Sequence, residues 1–225
     1  MATQDVAADW WPSRYGADDE AGALNEITPG KILEAVRLVR ILSVMLDEQE
    51  FLSPYGLRAL SRRHADQPFT LHLAGARYAV DYEPGESATG LFGGNSNWRG
   101  PIWFPVNYLV IEALHRYARF FGDDILIEHP TGSGRKVTLT ALADDLARRL
   151  VSIFLDDEHG RRPVFGDVSL FQTHPDWHNL LPFHEYFHGD TGRGVGASHQ
   201  TGWTALVADL VMRTAGRGAT GNRHD

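Results

Sequence analysis

Phe183-His-Glu-Tyr-Phe-His-Gly-Asp-Thr-Gly192 is the stretch on which the reading of this chain turns. On a helix, His184-Glu-Tyr-Phe-His188 is an H-E-x-x-H pattern. It would place two histidines one turn apart on a zinc ion, with Glu185 as base. In a loop, Glu185 would still activate a water, but a second carboxylic acid would have to complete the site. The two readings require different backbones, so the local fold decides between them.

The neighbouring residues bear on that choice. His174, His178, His184, His188 and His199 crowd into one segment of a chain with 11 histidines, and two pairs have i, i+4 spacing. Pro175 interrupts the first pair, while Pro182 precedes the second and Gly189 follows it. These leave room for barely one helical turn, where a metallohydrolase needs a sustained helix. The longer zinc-hydrolase pattern asks for Gly at 191 and His at 194, and the chain has Thr191 and Gly194. The metal alternative is therefore His184 and His188 with Glu185 as base and His178 or His199 as third ligand; the preferred reading assigns no metal. Gly196-Ala-Ser198-His-Gln200 fits a serine nucleophile turn only up to its last position.

Composition narrows the class. The chain has 225 residues, 43% of them hydrophobic, which suits a packed globule. A net charge of −8 without a basic run argues against a nucleic-acid partner. There are no cysteines, so thiolate nucleophiles and thiolate zinc sites are excluded. No stretch reaches the ~20 apolar residues of a membrane span. No signal-peptide pattern opens the sequence, and a cytoplasmic location is the expectation.

Periodicity predicts a mainly α protein. Thr28-Pro29 opens a helix over 29–45, and a short helix is expected near Leu57 and Leu60 after Pro54. Phe69, Leu71 and Leu73, then Tyr78, Val80 and Tyr82, alternate about Ala74-Gly75-Ala76 as a small β-hairpin. A long Gly/Pro/Asn-rich loop over 83–105 has the length of a functional loop. Helices follow over 105–121 (Leu109, Leu114, Tyr117 and Phe121 on one face), 138–155 (Leu139, Leu142, Leu146, Leu150, Ile153) and 201–215. The domain reading is an N-terminal extension 1–45 of different origin, a helical domain 46–214 and a disordered tail 215–225.

Two motifs carry a resemblance. Gly93-Gly-Asn-Ser-Asn97-Trp98-Arg99-Gly-Pro-Ile-Trp103-Phe-Pro-Val-Asn-Tyr108 resembles the W-R-G-P-[IV]-W loop of glucosidase I and trehalase-like inverting glycoside hydrolases. Glu185-Tyr186, Asp190-Thr-Gly192 and Ser198-His-Gln-Thr-Gly-Trp-Thr204 resemble the closing signature of the same group, in the same order. The resemblance covers about 46–214. It implies a partial (α/α) toroid with the active site at its mouth and hydrolysis of α-glucosidic or related bonds with inversion, the two carboxyl groups ~6.5–9.5 Å apart. By position Glu185 is the expected general base. Asn97, Trp98, Arg99, Trp103, His199 and Trp203 are the expected substrate-binding residues, with a carbohydrate as partner and no cofactor. The resemblance places the general acid, an Asp, upstream of everything matched, and Asp81, Asp167 and Asp190 carry no motif for that role.

Residues 11–40, from Trp11-Pro-Ser-Arg-Tyr-Gly onward, resemble the opening of metal-dependent cyclase/formamidase-like hydrolases, but the match stops before that family's metal motif. Half of a helical toroid leaves apolar helix faces unpartnered, so a homo-oligomer is expected. The remaining alternative is a non-catalytic carbohydrate-binding remnant.

Overall fold

The computed structural model describes residues 29–90 and 97–218. The start of the chain, the beginning of the Gly93–Tyr108 motif and the end of the expected disordered tail lie outside the described residues. Two units separate, residues 1–41 and 42–225. The helix expected over 29–45 forms as α1 (Pro29–Met45), with proline at its first position, where no amide donor is needed. In the second unit, Leu42 and Leu46 are buried, and Thr131 binds the carbonyls of Ser43 (2.7 Å) and Leu46 (3.0 Å).

The short helix expected after Pro54 does not form. In its place β1 (Leu52–Ser53) and β2 (Gly56–Leu57) make an antiparallel pair. Gly56 turns the chain with φ +135°, outside helical space, and a Cβ there would meet Asn107 Oδ1 at 2.9 Å. The Asn107 amide takes the helix's place as partner of this backbone: its oxygen accepts from Leu57 N–H (2.7 Å) and its nitrogen donates to Leu57 O (3.0 Å). A 3-10 turn at Arg62–Ala65 follows, capped by the Ser61 hydroxyl.

The expected hairpin is present as β3 (Phe69–Leu73) and β4 (Ala76–Val80), turning at Ala74 and Gly75, both with positive φ. Its register pairs Phe69 with Val80, Leu71 with Tyr78 and Leu73 with Ala76. These residues share one face because side chains alternate across the pleat, and Phe69, Leu71, Leu73 and Tyr78 on it are exposed.

Helix α2 (Phe104–Phe121) begins with Pro105 in its first turn and stops at Gly122, φ +61°. Its buried stripe is Phe104, Asn107, Ile111 and Leu114. The stripe expected from sequence is rotated from this, because Leu109 and Tyr117 face solvent. The rotation follows from Asn107, whose amide must turn inward to hold Leu57. After β5 (Leu126–Glu128) and β6 (Lys136–Thr138), which pair antiparallel, α3 (Leu139–Ser152) is capped by the Thr138 hydroxyl. It buries the predicted Leu139, Leu142, Leu146, Leu150 and Ile153, and is the centre on which α2 and α6 pack.

The remaining elements are α4 (Ser169–Thr173), the antiparallel β7 (Tyr186–Phe187) and β8 (Gly194–Val195), α5 (Thr201–Thr204) and α6 (Val207–Gly218). The single helix expected over 201–215 is thus two. Thr204 Oγ1 donates to His184 O (2.6 Å), which ties α5 to the strand before the chain turns into α6. Arg213 and Asp209 of α6 bind Glu112 and Tyr108 of α2. Among the described residues the protein is mixed helix and short antiparallel strand pairs rather than mainly helix, with no closed sheet. Among the described residues no helix is long and apolar enough to cross a membrane.

One polar network braces the centre. Asp145 on α3 accepts from His129 Nε2 and Arg149 Nε, both at 2.7 Å. Burial pushes its carboxyl up, but these donors outweigh burial and hold it well below the usual carboxylate range. The folded-state pKa is depressed, so the stabilisation is complete above the unfolded pKa of about 4 and is lost as pH falls. Asp145→Asn should cost about 1–2 kcal/mol at pH 7, after allowing for the exposed quarter of the carboxylate. Urea melts should show that gap narrowing as the pH falls below about 4 and continuing to shrink in stronger acid; an equal gap at pH 7 and pH 3 would refute the network's role.

Candidate functional site

The segment 184–188 is extended. Strand β7 pairs with β8, and the ladder continues in both directions: Glu185 N donates to Ala197 O and His188 N to Arg193 O, each at 2.8 Å. On its other side Phe187 exchanges backbone bonds with Ile102 (2.8 and 3.0 Å), and Ala59 N reaches Pro101 O (2.9 Å). The helical turn required by the zinc reading is therefore not formed. Four strand residues span ~13 Å, where a helical turn rises ~5.4 Å. Among the described residues no three His, Asp or Glu side chains gather as a metal site. His178 hydrogen-bonds Gln172 O (3.1 Å), and His199 is exposed beside the Phe183 bridge. Burial lowers the pKa of both His184 and His188, so both rings are neutral near pH 7.

Glu185 is fixed through its backbone. Its N–H goes to Ala197, and its carbonyl accepts from Trp203 Nε1 (2.9 Å). The half-buried carboxylate lies against the turn Gly196-Ala197, with Ala197 N 3.4 Å from Oε2. A Cβ at Gly196, which has φ +71°, would stand 2.8 Å from that oxygen, so glycine makes the room the carboxylate uses.

Aromatic rings gather around this strand. Trp103 stacks on Trp98 (centroids 3.9 Å, 3° between planes) and on Tyr186 (4.8 Å, 22°), and Trp203 meets it edge-on at 6.0 Å. Trp103 and Tyr186 are buried, whereas Trp98 is 46% exposed. A cleft of about 290 Å³ runs along the stack, lined by Met45, Phe51, Trp98, Trp103 and Val106.

Asn97 and Arg99 are buried and turned to the loop that precedes them. The Asn97 amide donates to the carbonyls of Glu83 and Gly85, both at 2.7 Å. Arg99 pairs with Glu83 and donates to Ser87 (2.7 Å) and Thr89 (3.1 Å). Together they fold residues 83–89 into a defined strap. Of the sequence-predicted site residues, the structure gathers Glu185, Trp98, Trp103 and Trp203 around the β7 strand, whereas Asn97 and Arg99 brace the strap beside it.

Sequence reasoning missed the node that joins the two motifs. Arg58, 5% exposed, donates to Asp190 Oδ1 from Nε (3.2 Å) and Nη2 (2.9 Å), and the Tyr82 hydroxyl donates to the same oxygen (2.9 Å). Burial pushes the Tyr82 hydroxyl pKa far up, so it stays a donor. Beside the node two backbones touch: a Cβ at Gly189 would lie 2.4 Å from Gly100 O, and one at Gly100 would lie 2.5 Å from the Tyr82 ring. The glycines of the two motifs are a signal that could have suggested close approach, whereas neither the hairpin alternation that includes Tyr82 nor the pattern around Leu57 and Leu60 marks Tyr82 and Arg58 as partners of Asp190.

Four matches to known proteins bear on this arrangement. The mannosylglycerate hydrolase MGH1-like glycoside hydrolase domain matches residues 31–204. The chain is 53% identical over 177 residues to the uncharacterized protein YMR196W of Saccharomyces cerevisiae, covering 78% of this chain and 16% of that one. It is 26% identical over 178 residues to the mannosyl-oligosaccharide glucosidase of the same yeast, covering 79% and 15%. With a probable mannosyl-oligosaccharide glucosidase of Schizosaccharomyces pombe it shares 27% over 176 residues, covering 78% and 15%. The chain thus spans about a sixth of the length of these relatives. The match begins at residue 31, so it takes in residues 31–40 of the segment that resembles metal-dependent hydrolases and leaves residues 1–30 outside it. With two motifs packed into one site and a match over most of its length, the chain belongs to the MGH1-like glycoside hydrolase domain family.

Proposed function

We propose that this domain supports hydrolysis of an α-glucosidic or related bond with Glu185 as general base, within an arc of an (α/α) toroid. The observation that carries the reading is the placement of Glu185: its strand is bonded on both edges, its carbonyl is held by Trp203, and its carboxylate lies against Gly196-Ala197. A base works by being placed, and the ladder fixes the backbone from which this carboxylate projects. The exposed face of Trp98 is the surface on which a sugar ring would stack, with Trp203 on the other contact of Trp103 and His199, exposed at the Phe183 bridge, as a further group to meet the substrate. Trp103 would act from beneath, keeping Trp98 flat, while Asn97 and Arg99 hold the strap at the edge.

The general acid is not assigned. Asp190 spends Oδ1 on Arg58 and Tyr82, and Asp167 is fully exposed. The yeast glucosidases support an α-glucosyl substrate as the first choice.

α-Glucosyl fluoride separates the base from the missing acid, because fluoride leaves without being protonated. The chain should hydrolyse it with inversion, releasing β-glucose first in proton NMR, and Glu185→Gln should lower kcat by about 10²–10⁴. No turnover by the native chain, or equal turnover by the variant, would sink the reading. Trp98→Ala should raise KM about tenfold and change kcat little, as expected for lost stacking.

Self-association completes the proposal. The exposed face of the β3–β4 hairpin (Phe69, Leu71, Leu73, Tyr78) is the apolar surface that supports it, with a second copy of this chain as its partner. Sedimentation at micromolar concentration should show a dimer or larger species that Leu71→Glu disperses. A monodisperse native monomer would exclude it.

A further inference from the structure

The β7–β8 ladder has two ends. Glu185 stands at one, and at the other His188 and Arg193 are joined by a backbone bond of 2.8 Å. Beside that second end opens a cavity of about 420 Å³, walled by Tyr55, Arg161, Gln172, His188, Thr191 and Arg193.

The donors in it are set by their surroundings. His188 Nδ1 accepts the backbone N–H of Asp190 (3.2 Å), so the proton of the neutral ring sits on Nε2. The aliphatic stem of Arg193 lies over Gly166, where a Cβ would be 2.4 Å from Arg193 Cδ. Glycine at 166 therefore lets the arginine pass. Both side chains end beside Gly85: the point a Cβ would occupy there is 3.5 Å from His188 Nε2 and 3.9 Å from Arg193 Nη2. The backbone of Gly85 is itself fixed, its carbonyl held by Asn97 (2.7 Å). The absent side chain leaves a cradle between two nitrogen donors.

Charge pairing in the wall is uneven. Arg162 binds Asp156 and the carbonyl of His178. Arg161 donates to Gly166 O (3.1 Å) and faces Asp167 at 3.6 Å. The remaining wall carboxylate, Asp157, accepts the backbone N–H groups of His159 (2.8 Å) and Arg161 (2.9 Å). The Arg193 guanidinium makes no hydrogen bond or ion pair with a described residue. An anion can thus meet it without displacing a partner among the described residues.

We propose that this cavity binds an oxyanion, the phosphate of a small metabolite, held by the Arg193 guanidinium and the His188 Nε2–H over Gly85. A tetrahedral oxyanion presents acceptors in several directions, which suits donors carried by two different strands. The cavity exceeds the size of a single phosphate, so the group is either free inorganic phosphate or the anchor of a larger molecule such as a sugar phosphate. The proposal does not depend on Glu185 or on glycoside hydrolysis.

Inorganic phosphate titrated into the full chain at constant ionic strength should give saturable heat. Arg193→Gln, which keeps most of the stem, should weaken binding about tenfold or more, and Gly85→Ala should do the same by filling the cradle with no change of charge. Arg161→Gln, at a partnered position, should change it less than about threefold. Glucose 6-phosphate binding more tightly than phosphate, with no binding of glucose, would identify a sugar phosphate as the ligand. Equal affinity of the two anions would identify free phosphate. Heats no larger than those of sodium chloride at matched ionic strength, or native affinity in both Arg193→Gln and Gly85→Ala, would overturn the proposal. Circular dichroism checks folding, and if Arg193→Gln unfolds, Gly85→Ala decides.

Discussion

Where Gly189 faces Gly100, two segments far apart in sequence come to backbone distance, and much of the site depends on that contact. A Cβ at residue 189 would lie 2.4 Å from the Gly100 carbonyl, closer than any side chain allows. The contact lets Phe187 and Ile102 bond as neighbouring strands and lets Asp190 meet Arg58 and Tyr82. Without it the Trp98–Trp103 loop and the Glu185 strand would have no common frame. The Arg58–Asp190 pair by itself is a costly way to gain stability, because both charges lose water on burial. Its geometric effect is clearer: one carboxylate oxygen fixes three chain segments.

The site is built from scaffold on one side and reachable groups on the other. Trp103 touches Trp98, Tyr186 and Trp203, and so converts a buried aromatic cluster into a flat exposed surface at Trp98. Asn97 and Arg99 sit in the same motif but point away from that surface and hold residues 83–89. Buried polar side chains of this kind are satisfied locally because an unpaired donor in the interior costs about 1–3 kcal/mol. Motif membership therefore does not distinguish a group that meets a ligand from one that shapes the loop around it.

The same ladder also gives one short strand two faces of chemistry. Glu185, held by Trp203 and Ala197, stands at one end, and His188 with Arg193 at the other. Glycines recur at both ends, at 196 beside the carboxylate and at 85 and 166 beside the arginine, each leaving space for a functional side chain. This is the use of glycine where backbone must approach a charged group closely.

Much was legible in the sequence wherever one local rule sufficed. Period-3.6 patterning located α3 and its buried leucines, Pro29 and Gly122 bounded helices, and alternation about Ala74-Gly75 gave the β3–β4 hairpin. The paired motifs placed Glu185 with Trp98, Trp103 and Trp203. Tertiary structure decided what depends on partners distant in the chain. The extended state of 184–188 comes from bonds to Ile102 and to residues 193–197, which no local pattern announces. Asn107 turned α2 and replaced an expected helix by β1–β2, because its amide found the Leu57 backbone. The inward direction of Asn97 and Arg99, and the joining of Arg58, Tyr82 and Asp190, are likewise non-local. Local periodicity records which residues avoid water; it does not record which polar groups will find one another, and those encounters set this site.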